Sequence, residues 1–199
     1  ASTPTITAVV NGASFQPGIA PGAWVTIRGT NLSDTTRPWT SNDIVGGNLP
    51  VSLDGVGVTI GGRPAFVEYV SPSQINVQAP SDVAPGAVDV FVTNNGRVSA
   101  PAQAQMQSVA PAFFLDGATR FAAASRLRDY APLADPSAVP GAVPAKPGDL
   151  VVLWGTGFTS AGVPAGVVVQ SPSDPASMPR VTVGGVEVPV VGDGLVAGL

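Results

Sequence analysis

The chain has no cysteine and no histidine, and its only lysine is Lys146. Without cysteine there is no disulfide and no thiolate nucleophile; without histidine the commonest general base and the usual zinc ligands are gone as well. Charge is sparse: Asp, Glu, Lys and Arg make up 11% of the 199 residues, 13 acidic against 9 basic, for a formal net charge of −4. The arginines are scattered one at a time, so no concentrated positive surface is available to a phosphate backbone, and nucleic acid is not an expected partner. No apolar run approaches the ~20 residues that cross a bilayer as a helix, so membrane insertion is not expected either. Long amphipathic helices are also lacking. The nearest approach is residues 120–133, whose Ala-rich middle has room for a turn or two between Asp116-Gly117 and a series of prolines.

What the chain has in quantity is turn chemistry. Its 24 glycines and 21 prolines, with an apolar fraction of 44%, suit short strands joined by many turns. Abundant Thr, Ser, Asn, Gly and Pro with scarce lysine is the composition of secreted β proteins, and the expected location is extracellular or at the cell surface. The opening Ala1-Ser2-Thr3-Pro4, with no initiator methionine, reads as processed or excised.

The chain repeats itself. Pro21-Gly22-Ala23-Trp24-Val25-Thr26-Ile27-Arg28-Gly29-Thr30 returns 126 positions later as Pro147-Gly148-Asp149-Leu150-Val151-Val152-Leu153-Trp154-Gly155-Thr156. Val58-Thr59-Ile60-Gly61-Gly62 returns 123 positions later as Val181-Thr182-Val183-Gly184-Gly185. The same two blocks in the same order define two structural units.

Period-two alternation places every second side chain on one face of a strand. It assigns Val25 and Ile27 to one face and Trp24, Thr26 and Arg28 to the other; Val56, Val58 and Ile60 share a face, as do Val88, Val90 and Val92. Residues 65–70 and 74–78 read as a hairpin around Ser71-Pro72-Ser73, and Asn94-Asn95-Gly96 marks a tight reversal. With residues 5–10 in front, about seven short strands fall within the first 105 residues, the spacing of an antiparallel two-sheet sandwich, with a small closed barrel as the alternative. The expected architecture is all-β: two tandem immunoglobulin-like sandwiches over residues 1–110 and 146–199, the second incomplete. They are joined by a Pro-rich ordered connector over residues 111–145 that holds a short hairpin or helical turn.

Val10-Asn11-Gly12-Ala13-Ser14-Phe15, Ile27-Arg28-Gly29-Thr30-Asn31-Leu32, Gly57-Val58-Thr59-Ile60-Gly61-Gly62 and Tyr69-Val70-Ser71-Pro72-Ser73-Gln74-Ile75-Asn76-Val77-Gln78 resemble the uncharacterised C-terminal repeat domain of large secreted acidobacterial proteins. That domain is similar to the IPT/TIG branch of immunoglobulin-like folds. The resemblance covers residues 6–191 and implies an extracellular, noncatalytic module. A complete second copy would continue past Val191 into another tyrosine and Gln-Ile-Asn strand pair, whereas here 192–199 remain.

Few residues invite chemistry. The acids are dispersed, and Asp54-Gly55, Asp116-Gly117 and Asp193-Gly194 are turn pairs. No segment has an EF-hand spacing, which leaves only a calcium ion held by loop carbonyls as a metal possibility. The glycine pairs at Gly46, Gly61 and Gly184 lead into no helix and so lack the basis of a phosphate loop. Lys146 sits in a Pro-rich approach, a poor place for an isopeptide crosslink. The chain is therefore not expected to be an enzyme or to need a cofactor.

Trp24, Trp39, Leu150, Val152 and Trp154 are the candidate interface or binding residues, because apolar side chains on an outward strand face mark a contact surface. Packing between the two units would also account for them. An incomplete sandwich favours accepting a strand, and Thr5, Ile6, Thr7, Ala8, Val9 and Val10 form the candidate donor. The expected function is a structural or adhesion module that self-associates, or pairs with neighbouring immunoglobulin-like domains, by strand exchange into dimers or fibres. The alternative is binding of a polysaccharide or other surface polymer through exposed tryptophans.

Overall fold

In the computed structural model, which describes residues 2–117, 121–158, 164–169, 178–192 and 194, the alternating segments become eleven strands of one sandwich. They are β1 (Thr5–Asn11), β2 (Trp24–Thr30), β3 (Arg37–Pro38), β4 (Ser52–Leu53), β5 (Val56–Ile60), β6 (Arg63–Pro64), β7 (Phe66–Val70), β8 (Gln74–Gln78), β9 (Gly86–Asn94), β10 (Arg97–Val98) and β11 (Ala102–Met106). The first sheet has the order β1-β2-β8-β7-β3; in the second, β5 and β9 are central, flanked by β4, β6, β10 and β11. Every strand pair is antiparallel. Among the described residues there is no α-helix, only the 3-10 turn Ser41–Asp43.

The core lies between the sheets. Val25, Ile27, Val67, Val70, Ile75 and Val77 from the first meet Val56, Val58, Ile60, Val90 and Val92 from the second, all sealed from solvent. Burying a Val- or Ile-sized side chain contributes about 1.5–3 kcal/mol before the entropy cost, and this layer is the main source of stability. Two further ties join the sheets. Ile19 lies parallel to Met106, with Ile19 N–H donating to Gln105 O (3.0 Å) and Gln107 N–H to Ile19 O (2.8 Å). Arg37 of the first sheet reaches Asp43 (2.9 Å) and Asp54 (2.8 Å), the latter in the turn between β4 and β5.

A bulge interrupts the β7–β8 pairing. Val67 faces Val77 and Val70 faces Ile75, so two residues, Glu68 and Tyr69, stand where regular pairing has one. Val67 and Val70 both enter the core, which leaves Glu68 and Tyr69 on the outer face together.

Beyond residue 110 the strands are β12 (Ala112–Phe113), β13 (Ala124–Arg126), β14 (Val151–Leu153), β15 (Gly155–Thr156), β16 (Val181–Val183) and β17 (Val186–Val188), so two of them fall within residues 111–145, where a connector was expected. β12 pairs with β15 and β13 with β14. Phe114 N–H donates to Trp154 O and Trp154 N–H to Ala123 O, so residues 112–114 and 123–126 act as one interrupted strand beside residues 151–156. The bridge between Leu115 and Ala122 closes the excursion. Residues 111–126 thus stand to β14 and β15 as β1 stands to β2. The Ala-rich stretch is extended because Ala123 bonds across to Phe114 and Trp154, and sheet pairing overrides alanine's helix propensity.

β16 and β17 repeat the β5–β6 hairpin. Its Gly184-Gly185 turn has φ of +60° and +83°, against +58° and +77° at Gly61-Gly62, angles that admit glycine readily and most residues poorly. The two repeats touch at several points. Asn11 Nδ2 donates to Ala110 O (2.8 Å), Trp24 N–H to Thr156 Oγ1 (2.8 Å), Leu49 N–H to Gly166 O (2.8 Å), and Gly166 N–H to Gln78 Oε1 (2.8 Å).

Candidate functional site

Two surfaces stand out. The first is the outer face of the first sheet. Trp24 points away from the core because its neighbour Val25 points in, and Trp39, carried just beyond β3, lies against it with ring centroids 5.9 Å apart and planes at 67°. Trp39 is held there by its N–H donating to Glu68 O (2.7 Å). Both indoles are half-buried, and Trp39 also packs against the hydrophobic core. Between and beside them runs a polar network: Gln74 Nε2 donates to Asn76 Oδ1 (2.9 Å), Thr26 Oγ1 donates to the same oxygen (3.2 Å), and Asn76 Nδ2 donates to Glu68 Oε2 (3.2 Å). Burial pushes the Glu68 carboxyl above the ordinary glutamate range, and the bond from Asn76 offsets this in part. Gln78 closes one end, with Nε2 on Gly22 O and Oε1 on Gly166 N–H.

The sequence reading placed Trp24 and Trp39 separately; the structure makes them a pair. It missed Glu68 and Tyr69, although Val67 and Val70, three residues apart within a strand, break the period of two and mark the bulge.

The second surface lies along β14 and the β16–β17 hairpin. Val151 is 44% exposed and Val183 is 65% exposed, whereas their counterparts Val25 and Ile60 are fully buried. Leu150 is exposed, and Val152 and Trp154 are half-buried. An open groove of about 420 Å³ lies beside β12 and the start of β16, lined by Val109, Phe113, Phe158, Pro179 and Val181 among others. Phe113 and Phe158 meet at 6.0 Å. β14 has β13 on one edge and no strand on the other among the described residues.

The expected donor segment is a different matter. Thr5, Ile6, Thr7, Ala8, Val9 and Val10 belong to β1, which pairs with β2 along its length and packs Ile6 and Val9 on the core. The segment is thus already used in its own sandwich, and giving it away would open that core.

Among the described residues the acids form no close carboxylate pair on either surface other than the two that share Arg37. Asp43 and Asp54 converge only on Arg37, whose guanidinium holds both carboxyls below the ordinary aspartate range. Among the described residues no three carboxylates gather as a metal site would require. Asp193 lies outside the described residues.

A sandwich of this topology, with a Gly-Gly hairpin repeated in a second unit, defines an immunoglobulin-like module. Residues 4–108, more than half of the chain, match the family model of the IPT/TIG domain, and the chain belongs to that family. IPT/TIG domains are generally noncatalytic. A search of curated proteins finds no match. Among solved structures, the chain is similar to a γ-CGTase from an alkalophilic Bacillus clarkii at 20% identity and a TM-score of 0.38, over 62% of this chain. It is also similar to an auxiliary nutrient binding protein from Bacteroides thetaiotaomicron at 15% identity and a TM-score of 0.35, over 65% of this chain. The chain spans 15% and 28% of the lengths of those two proteins.

Proposed function

We propose that this chain is a noncatalytic structural or adhesion module of an extracellular or cell-surface protein, of the acidobacterial repeat type, whose second repeat is completed by a strand from a neighbouring immunoglobulin-like unit. The observation that supports the reading is the exposure of Val151 and Val183 where Val25 and Ile60 are sealed. Exposed core-face valines beside a strand edge with no partner among the described residues favour strand addition, which satisfies backbone groups and covers apolar area together.

The first repeat indicates what kind of strand fits. Against β2, β8 sets Val77 across from Val25 and Ile75 across from Ile27, with amides between. Carried over by the 126-residue offset, that register places apolar residues across from Val151 and Leu153. Light scattering coupled to size exclusion tests the reading. Masses above that of one chain are expected. A single chain mass, with slow amide exchange at residues 151–153 and 181–183, would sink it.

A second reading, contact with a surface polymer through the outer face of the first sheet, is favoured by the Trp24–Trp39 pair standing beside an amide and carboxyl network.

A further inference from the structure

We propose that Trp24, Trp39, Tyr69, Glu68 and Asn76 form a platform for the ring of an uncharged sugar within a polysaccharide. This rests on the surface-polymer reading and adds the ligand class and the residues that select it.

A sugar ring is apolar on its C–H faces and carries hydroxyl donors at its rim. It calls for an aromatic surface with fixed acceptors beside it. The bulge supplies that combination. By turning Glu68 outward together with Tyr69, it sets a carboxyl and a phenol ring on the face where Trp24 and Trp39 pack. Asn76 is held from three sides, accepting from Thr26 and Gln74 and donating to Glu68, so the acceptors are positioned before any ligand arrives. Asn76 binds only one oxygen of Glu68; no bond from another described residue is seen to the second, and a hydroxyl donor fits it.

The charges argue for a neutral ligand. Arg28, on the same face, lies over the Phe15 ring at 5.3 Å, and Arg37 is engaged by two aspartates. An acidic polymer would meet the Glu68 carboxyl, which no arginine pairs among the described residues, while Arg28 keeps its charge over the Phe15 ring. A protein partner would want a continuous apolar centre, whereas Gln74, Asn76 and Gln78, half-buried above the buried Thr26, lie interleaved with the rings. Alternate residues of β8 stand about 6.8 Å apart along the strand, so the amides sample successive points on a chain laid along it.

Affinity electrophoresis of the full chain through gels containing hydroxyethylcellulose, arabinoxylan, glucomannan, amylopectin or a soluble β-1,3-glucan tests the proposal. Retardation on at least one is expected. Glu68→Gln keeps the shape and removes the charged acceptor, and should weaken binding about tenfold. Trp39→Ala should weaken it roughly thirtyfold. Glu68→Gln covers the case in which Trp39→Ala does not fold. Retardation that survives Glu68→Gln, and Trp39→Ala where that variant folds, would overturn this site and leave the surface-polymer reading standing. No retardation on any of the five would overturn both.

Discussion

Ile60 and Val183 hold the same place in the two repeats, each just before a Gly-Gly turn of nearly the same angles, yet Ile60 is fully buried and Val183 is 65% exposed. Substituting aspartate at each position separates folding from association. Ile60→Asp puts an unpaired charge in the core and should cost more than about 4 kcal/mol, unfolding the first sandwich. Val183→Asp should leave the thermal midpoint of that sandwich within about 0.5 kcal/mol of the parent while abolishing species larger than one chain. Thermal unfolding and light scattering read the two effects. Association that persists in Val183→Asp would place the contact elsewhere.

Gly166 has φ of +84°, and a Cβ there would enter the ring of Phe66. Gly166→Ala should cost about 1–3 kcal/mol, confined to the junction of the two repeats. Amide exchange at Leu49 and Val168 should speed up while Val25 and Ile27 stay protected. Loss of protection at all four would mean that the junction is part of the core.

Asn11 is 3% exposed and works in both directions. Its Oδ1 accepts from the N–H groups of Ala13 (2.9 Å) and Ser14 (3.2 Å), while Nδ2 donates to Ala110 O (2.8 Å). Asn11→Asp keeps the acceptor and sets a carboxylate oxygen against a carbonyl. It should cost about 2 kcal/mol at pH 7 and recover in acid, where the protonated group can donate again. Urea unfolding at the two pH values checks this, and an equal loss at both would rule out the donor role.

Two carboxyl environments act on stability in opposite directions. Glu68 titrates above its ordinary range, so the folded state holds its proton more tightly than the unfolded chain, and stability falls as pH rises between the two values. Glu68→Gln should therefore raise the thermal midpoint at pH 7 and leave it unchanged below about pH 4. Asp43 and Asp54 titrate below their ordinary range, so the stability they give is complete above that range and lost as pH falls through the depressed values. Arg37→Met should flatten that acid limb in thermal scans, and an unchanged limb would show that the clasp contributes nothing.

The all-β, antiparallel, immunoglobulin-like character was legible because Val25, Ile27, Val58, Ile75 and Val77 alternate cleanly and the Asn95-Gly96 turn names itself. The bulge at Glu68 was overlooked, since its one trace is the three-residue step from Val67 to Val70 at the end of a five-residue strand. The partner strand of β14 was hidden for a different reason: it is split between residues 112–114 and 123–126, and neither half is long enough to show a period. The Trp24–Trp39 pair depends on how β3 is laid beside β7, a long-range placement that no local pattern encodes.

The parallel contact of Ile19 with Met106 bears on how such a module would behave under tension. Pulling the chain from the N-terminal side of Ile19 and the C-terminal side of Met106 loads both of their hydrogen bonds together, along the strand axis. The β16–β17 hairpin, pulled from its open end, gives way one bond at a time. A handle placed at either site in a force-spectroscopy experiment would register the difference as a higher rupture force across the first, so the direction of load decides which part of the chain yields.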